Sequence, residues 1–191
     1  MNASTEPSAD LSPRDRILHT AHDLFYGEGI RATGIDKIIE QARVTKVTFY
    51  RQFPSKGTLV LAYLAYRHAN WMTWLRDSLD AHQAQGKPPL NALLLTMDSW
   101  FSRPDFRGCA FLNATAELGE RSPEVMDAVR QHKQDMASAL ADLLPKGPGR
   151  AAKGRALALA VDGAILQAQM AMPTATVLEG LRLLARPLMD A

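Results

Sequence analysis

The chain has one cysteine, Cys109, in 191 residues, so it can form no internal disulfide and offers no cysteine set for a metal. Long apolar runs are missing as well. Its charge-free apolar stretches, residues 110–116 for example, fall far short of the roughly 20 residues that a membrane span needs. The opening MNASTEPSAD has neither a basic n-region nor an apolar core, which predicts no secretory leader. No segment alternates apolar and polar residues for long enough to suggest a strand. There is accordingly no Gly-rich phosphate loop following a strand, and GxSxG does not occur. Ser-His-Asp partners cannot be placed. These absences predict a protein of the reducing cytoplasm with no catalytic residues, metal or cofactor, and no membrane partner.

What is present points to a globular chain. Apolar residues make up 47% and charged residues 22%, enough to bury a core and too apolar for extended disorder. The formal net charge of +2 is unevenly spread. Residues 13–58 hold eight Lys and Arg against five acids, a net +3 that is compatible with nucleic acid.

The apolar period is helical throughout, predicting an all-α fold of about nine helices. Residues 1–12 are small, polar and Pro-containing, and read as a disordered tail. Ser12-Pro13-Arg14-Asp15 opens the first helix, Ile17, Leu18, Ala21, Leu24 and Phe25 form its inner face, and Gly27 or Gly29 stops it. Thr33 is placed to cap a short second helix, with Asp36 in the capping-box position. A tight turn at Arg43-Val44 leads to a third helix capped by Thr45, with Val44, Val47, Phe49 and Phe53 as its buried positions. Pro54 ends it, and Ser55 caps a long fourth helix reaching about Asp80. Further helices are predicted from the break at Gly86-Lys87-Pro88-Pro89 to near Ser102, then over 105–118, 122–144 and 150–172, and a last one from a capping-box spacing at Thr176.

Residues 33–53 are thus two short helices joined by a three- to four-residue turn, apolar on one side and polar on the other, which is helix-turn-helix geometry. The outward side of the second presents Thr45, Lys46, Thr48, Tyr50, Arg51 and Gln52, groups that can bond both phosphates and base edges. Lys56 adds a cation in the first turn of the next helix, where backbone N–H groups also favour anions. The segment TGIDKIIEQARVTKVTFYRQFPSKGTL, with ILHTAHDLFYGEGIRAT before it, resembles the DNA-binding signature of the TetR family of bacterial transcription regulators. The likeness covers residues 14–60. Arg43 departs from it, standing where many members have Gly.

The resemblance implies a helix-turn-helix domain over 13–58 and an effector-binding and dimerisation domain over 59–191. It places phosphate contacts at Thr33, Tyr50 and Lys56, and base-reading positions at Lys46, Val47 and Thr48; the neighbouring Lys37, Arg43, Thr45 and Arg51, read from their own chemistry, complete the candidate DNA-binding set. Val47 either meets a thymine methyl or packs inward, and Asp36, at another groove-facing position, either accepts from a cytosine amino group or only caps. It further implies a homodimer on a palindromic double-stranded DNA operator, and a small apolar or aromatic effector. Candidate pocket residues are Trp71, Trp74, Trp100, Phe111, Asn113, Glu117, Gln167 and Met170, each of which could instead be ordinary helix packing. Small residues Ala160, Gly163 and Ala164 with Leu178, Leu181 and Leu184 form the expected dimer interface, four helices about a two-fold axis. His19 and His22 lie outside the apolar face, lack a third ligand, and read as solvated surface. Cys109 is either a small buried thiol or a redox-sensing thiolate, the latter needing a nearby cation such as Arg107. The expected function is a ligand-responsive transcription regulator, more a repressor than an activator. The alternatives are a DNA-binding adaptor without an effector and a small helical enzyme.

Overall fold

The structure, a computed structural model, describes residues 11–119 and 122–189. Among these residues there are nine α-helices and no strand, the all-α fold that the periodicity predicts: α1 (Pro13–Glu28), α2 (Ile35–Gln41), α3 (Lys46–Gln52), α4 (Lys56–Ala84), α5 (Pro89–Phe101), α6 (Ala110–Leu118), α7 (Pro123–Ala141), α8 (Arg150–Gln169) and α9 (Thr174–Met189). They divide into two compact units. The first contains the described chain up to His68 together with Ala110–Val129; the second contains Ala69–Cys109 and the described chain from Arg130 onward. Most of the expected N-terminal tail lies outside the described residues. No helix among those described is long and apolar enough to cross a membrane.

In the first unit, Ser12 accepts the Asp15 N–H and Pro13 occupies the first turn, so α1 starts where its sequence signals place it. Ile17, Ala21, Leu24 and Phe25 are buried, and α1 packs on both α2 and α3. The cap of α2 is corrected: Gly34 is the N-cap, with no side-chain cap bond, and neither Thr33 nor Asp36 caps the helix. Thr33 instead turns inward, fully buried at 0% exposure, and its hydroxyl donates to the Gly29 carbonyl at 2.7 Å. A buried hydroxyl needs such a partner, and the carbonyl left open at the end of α1 supplies it. Thr45 does cap α3, accepting the Thr48 N–H at 3.1 Å. Ser55 caps α4 by accepting the Thr58 N–H, while the Thr58 hydroxyl accepts the Ser55 N–H. Arg14 ties the corner after α3 to α1, donating to the Gln52 carbonyl and lying 4.4 Å over the Phe53 ring.

His22 is not solvated surface. Its ring packs among Tyr26, Tyr63 and Tyr66, and Nε2 faces the Arg67 guanidinium at 3.3 Å, while Arg67 lies 3.9 Å over Tyr26. An aromatic wall on α4 covers this side of α1, which the apolar pattern of α1 alone does not reveal.

In the second unit, α9 packs against α8 and α5. Gly154 sets the approach of α8 to the end of α7. A Cβ there would lie 2.6 Å from the Ala141 Cβ and 2.9 Å from the Ala137 carbonyl, so the two backbones meet where a side chain cannot fit. Helix boundaries differ from expectation at several ends. α6 begins at Ala110 rather than 105, because Asp105 is drawn into a two-bond clasp with Arg103 and Gly108 takes φ +77°. That clasp holds the Asp105 carboxyl below the usual carboxylate range, the Arg103 hydrogen bond being the larger cause. α8 stops at Gln169, where Ala171 adopts φ +58°. α7 ends at Ala141, α4 continues to Ala84, and α9 begins at Thr174. Cys109 is buried, and the cation that meets its Sγ is Lys133, at 3.4 Å, rather than Arg107. Lys133 also pairs with Asp162.

Candidate nucleic-acid interface

The two-helix motif is built so that one side is fixed and the other offered. Ile38, Ala42, Phe49 and Phe53 are buried, and their packing sets α3 against α1 and α2. Phe49 lies inside, so positions about half a turn away must point out. Val47 is two residues earlier, about 200° round the helix, and is 79% exposed. Of its two expected readings, inward packing is therefore the one that fails: the methyls face outward. Lys46, Tyr50, Arg51 and Thr45 are exposed on the same helix, and Thr48 is half-buried with its N–H and hydroxyl turned to Thr45.

The other expected contacts divide. Lys56 stands in the first turn of α4, half-buried, with its ammonium 5.9 Å from the Phe25 ring centroid. Burial lowers its proton affinity below the ordinary lysine range, and the Glu117 carboxylate acts the other way. Lys37 is held by both oxygens of Glu28, so a phosphate must compete with that pair. Thr33 presents no surface and is removed from the contact set. Lys46 and Asp36 lie 3.9 Å apart at high exposure, a pair worth little in water.

Arg43, in the turn, adopts φ +52°, the left-handed conformation that the missing glycine would have eased. Left-handed geometry costs an L-residue about 1–2 kcal/mol, and the extra freedom of unfolded Gly returns part of this. Arg43→Gly is therefore expected to stabilise the protein by about 0.5–1 kcal/mol, raising Tm by about 1–4 °C. The same change removes a cation from the exposed side, so binding to duplex DNA should weaken while Tm rises. Calorimetry together with a DNA titration checks both signs.

The pocket candidates separate into different settings. Trp71, Trp74 and Trp100 do come together, with ring centroids 5.6–6.2 Å apart. Phe106 meets Trp100 edge-on, and His132 meets Trp71 at 5.2 Å. The Trp71 indole N–H is buried and has no hydrogen-bond partner among the described residues. His132 escaped the sequence reading because it sits in the polar run Arg130–Gln134. Its spacing from Val125, Val129 and Met136 follows a buried helical stripe and could have shown it. Phe111, Asn113 and Glu117 lie on α6, in the first unit, where Phe111 is core and the Glu117 carboxylate accepts the Arg31 N–H at 2.7 Å. Glu117 is thus not a free pocket group. Gln167 lines a groove between α8 and α9, and Met170 is exposed at the end of α8, so neither joins the tryptophans.

That groove holds about 380 Å³ and includes Ala160, Gly163, Ala164, Leu181 and Leu184. Leu159, Leu166, Leu183 and Leu184 leave large apolar groups exposed on the same two helices. Leu181 is 2% exposed and belongs mainly to the subunit's own core, a correction to its role as a plain interface residue.

Comparison with known proteins agrees with this geometry. Residues 17–63 match the family model for bacterial regulatory proteins of the tetR family. Residues 86–186 match the model for a tetracyclin repressor-like C-terminal domain. The crystal structure of SCO4454, a TetR-family transcriptional regulator from Streptomyces coelicolor, is 34% identical, with 93% of this chain and 96% of that one covered and a TM-score of 0.77. The HTH-type transcriptional repressor NemR of Escherichia coli K12 is 23% identical over 148 residues, 77% of this chain and 72% of NemR. The reduced form of NemR shares the fold, with a TM-score of 0.77. An exposed, basic recognition helix on a buried scaffold and family matches over both parts lead to one conclusion: the chain belongs to the TetR family, whose members bind operator DNA through a helix-turn-helix and act as dimers, and it is a transcription regulator rather than an enzyme.

Proposed function

We propose that the protein is a cytoplasmic, homodimeric repressor that holds a palindromic operator and releases it when a small apolar or aromatic molecule binds. The observation that carries ligand response is the aromatic cluster of the second unit. A buried indole N–H without a partner costs about 1–3 kcal/mol, and an acceptor on a bound molecule would recover that. Trp74 and Trp100 beside the Trp71 ring, with Phe106 against Trp100, favour an aromatic or aliphatic body over a strongly charged one. Repression is supported by the name of the E. coli relative, which the likeness follows over 148 residues.

Coupling would run through α4. It is one uninterrupted helix from Lys56 to Ala84, with Lys56 in its first turn and Trp71 about 22 Å further along. A ligand releases DNA only in so far as it binds the DNA-incompetent arrangement more tightly. Tryptophan fluorescence and operator release, followed together across a panel of hydrophobic compounds, test this. Compounds that quench the tryptophans should release a duplex selected from a random pool, at matching concentrations. Quenching with unchanged DNA affinity would refute the coupling and favour an adaptor that needs no effector.

A further inference from the structure

We propose that Glu117 is a positioning residue for DNA binding: its carboxylate fixes the loop from Gly29 to Gly34, and with it the entry into the helix-turn-helix. Glu117 lies at the end of α6, yet Oε2 accepts the backbone N–H of Arg31 at 2.7 Å, across 86 residues of chain. Gly29 makes room for it. A Cβ at Gly29 would stand 3.3 Å and 3.4 Å from the two carboxylate oxygens, and the backbone there has φ +98°. The loop is also held from within, where the Thr33 hydroxyl donates to the Gly29 carbonyl at 2.7 Å. A carboxylate on one side and a buried hydroxyl on the other thus pin the segment between α1 and α2.

The hold on this loop matters because of the helix it leads into. α2 has no side-chain cap, so its first turn inherits its direction from the loop. α2 in turn packs on α3, the recognition helix. The same carboxylate favours the charged form of Lys56, countering its burial. An anion on this side weakens phosphate binding by simple repulsion, so its contribution to DNA binding must be geometric. Its acceptor oxygen does the positioning, and its charge acts against it.

Three variants of the full chain separate acceptor, reach and charge. Glu117→Gln keeps an oxygen at the right distance and removes the charge. Glu117→Asp keeps the charge and shortens the side chain by one methylene. Glu117→Ala removes both. The readouts are amide hydrogen exchange at Arg31, and affinity for a random-sequence duplex and for a duplex selected by the wild-type protein, across a salt series. Glu117→Gln should retain Arg31 protection and bind both duplexes at least as tightly as wild type. The Asp and Ala variants should lose protection about tenfold or more and lose about tenfold in affinity for the selected duplex. The salt slope of the Asp and Ala variants should be unchanged, because no phosphate contact is removed. Should Glu117→Ala fail to fold, Glu117→Asp alone carries the test, through the same two losses. Wild-type affinity in the Asp and Ala variants overturns the proposal, as does a Gln variant as weak as either.

Discussion

A Tyr50→Ala, Lys56→Ala double variant is expected to bind its operator at least about a hundredfold more weakly, with the loss spread evenly over all duplex sequences. Tyr50 is exposed on α3, and Lys56 opens α4 beside it in sequence, where the N–H groups of a first helical turn add to its field. Hydrogen bonds to charged groups contribute about 1.5–3 kcal/mol each, and a dimer would lose two from each subunit. Even with much of this recovered by water, two factors of ten remain, since about 1.4 kcal/mol is tenfold. The salt slope should also flatten by about 2, one released counterion for each lost lysine. Lys46→Ala should behave differently, because its exposed position on the first turn of α3 suits a base edge. Discrimination between duplexes should then drop by about 1–3 kcal/mol at one base step. Filter binding or anisotropy over a salt series distinguishes these outcomes. An unchanged affinity in the double variant would remove both residues from the interface.

Leu184→Glu is expected to turn the dimer into a folded monomer. Leu184 is 62% exposed and lines the α8–α9 groove, so a carboxylate there meets water in the single subunit and apolar surface in the pair. Burying an unpaired charge costs several kcal/mol per subunit, enough to dissociate a micromolar or tighter dimer. DNA affinity should collapse with it, since one recognition helix retains half the contacts and no fixed spacing to a mate one DNA turn away. Leu181→Glu makes the contrast. Leu181 lies in the subunit's own core, so that variant should lose the folded state itself rather than only its partner. Sedimentation with circular dichroism on the two variants reads both effects. A tight dimer of Leu184→Glu would place the interface elsewhere.

Residues with a local cause were legible in the sequence. Ser12, Thr45 and Ser55 cap helices because the donors they satisfy lie three residues on, and the turn at Arg43 was marked by its departure from glycine. Val47 stayed open between an inward and an outward reading because a seven-residue helix is too short for apolar spacing to settle its phase. Thr33 was misplaced because an N-cap and a hydroxyl bonding back to the preceding helix look alike until the chain is folded. Glu117 was noticed as a pocket candidate, but its partner was beyond reach, being a backbone N–H 86 residues away with no side-chain signature. The tryptophans were noticed by type, but their meeting depends on how α4 and α5 pack. Gln167 and Met170 went to the pocket by chemistry alone, whereas the end of α8 puts them on another surface.

The make-up of the first unit bears on how the protein is born. Its chain up to His68 is synthesised well before Ala110–Val129, and the second unit supplies the stretch between them. The DNA-reading helices can form their own turns early, since those contacts are local and fast. Their loop, however, waits for Glu117 to leave the ribosome, and the Arg31 N–H lacks this carboxylate until then. On the proposed role of Glu117, completion of the reading head follows translation of the middle of the message. Chains stalled before residue 117 should carry the recognition sequence without a finished grip on DNA, a built-in guard against fragments that occupy an operator unregulated.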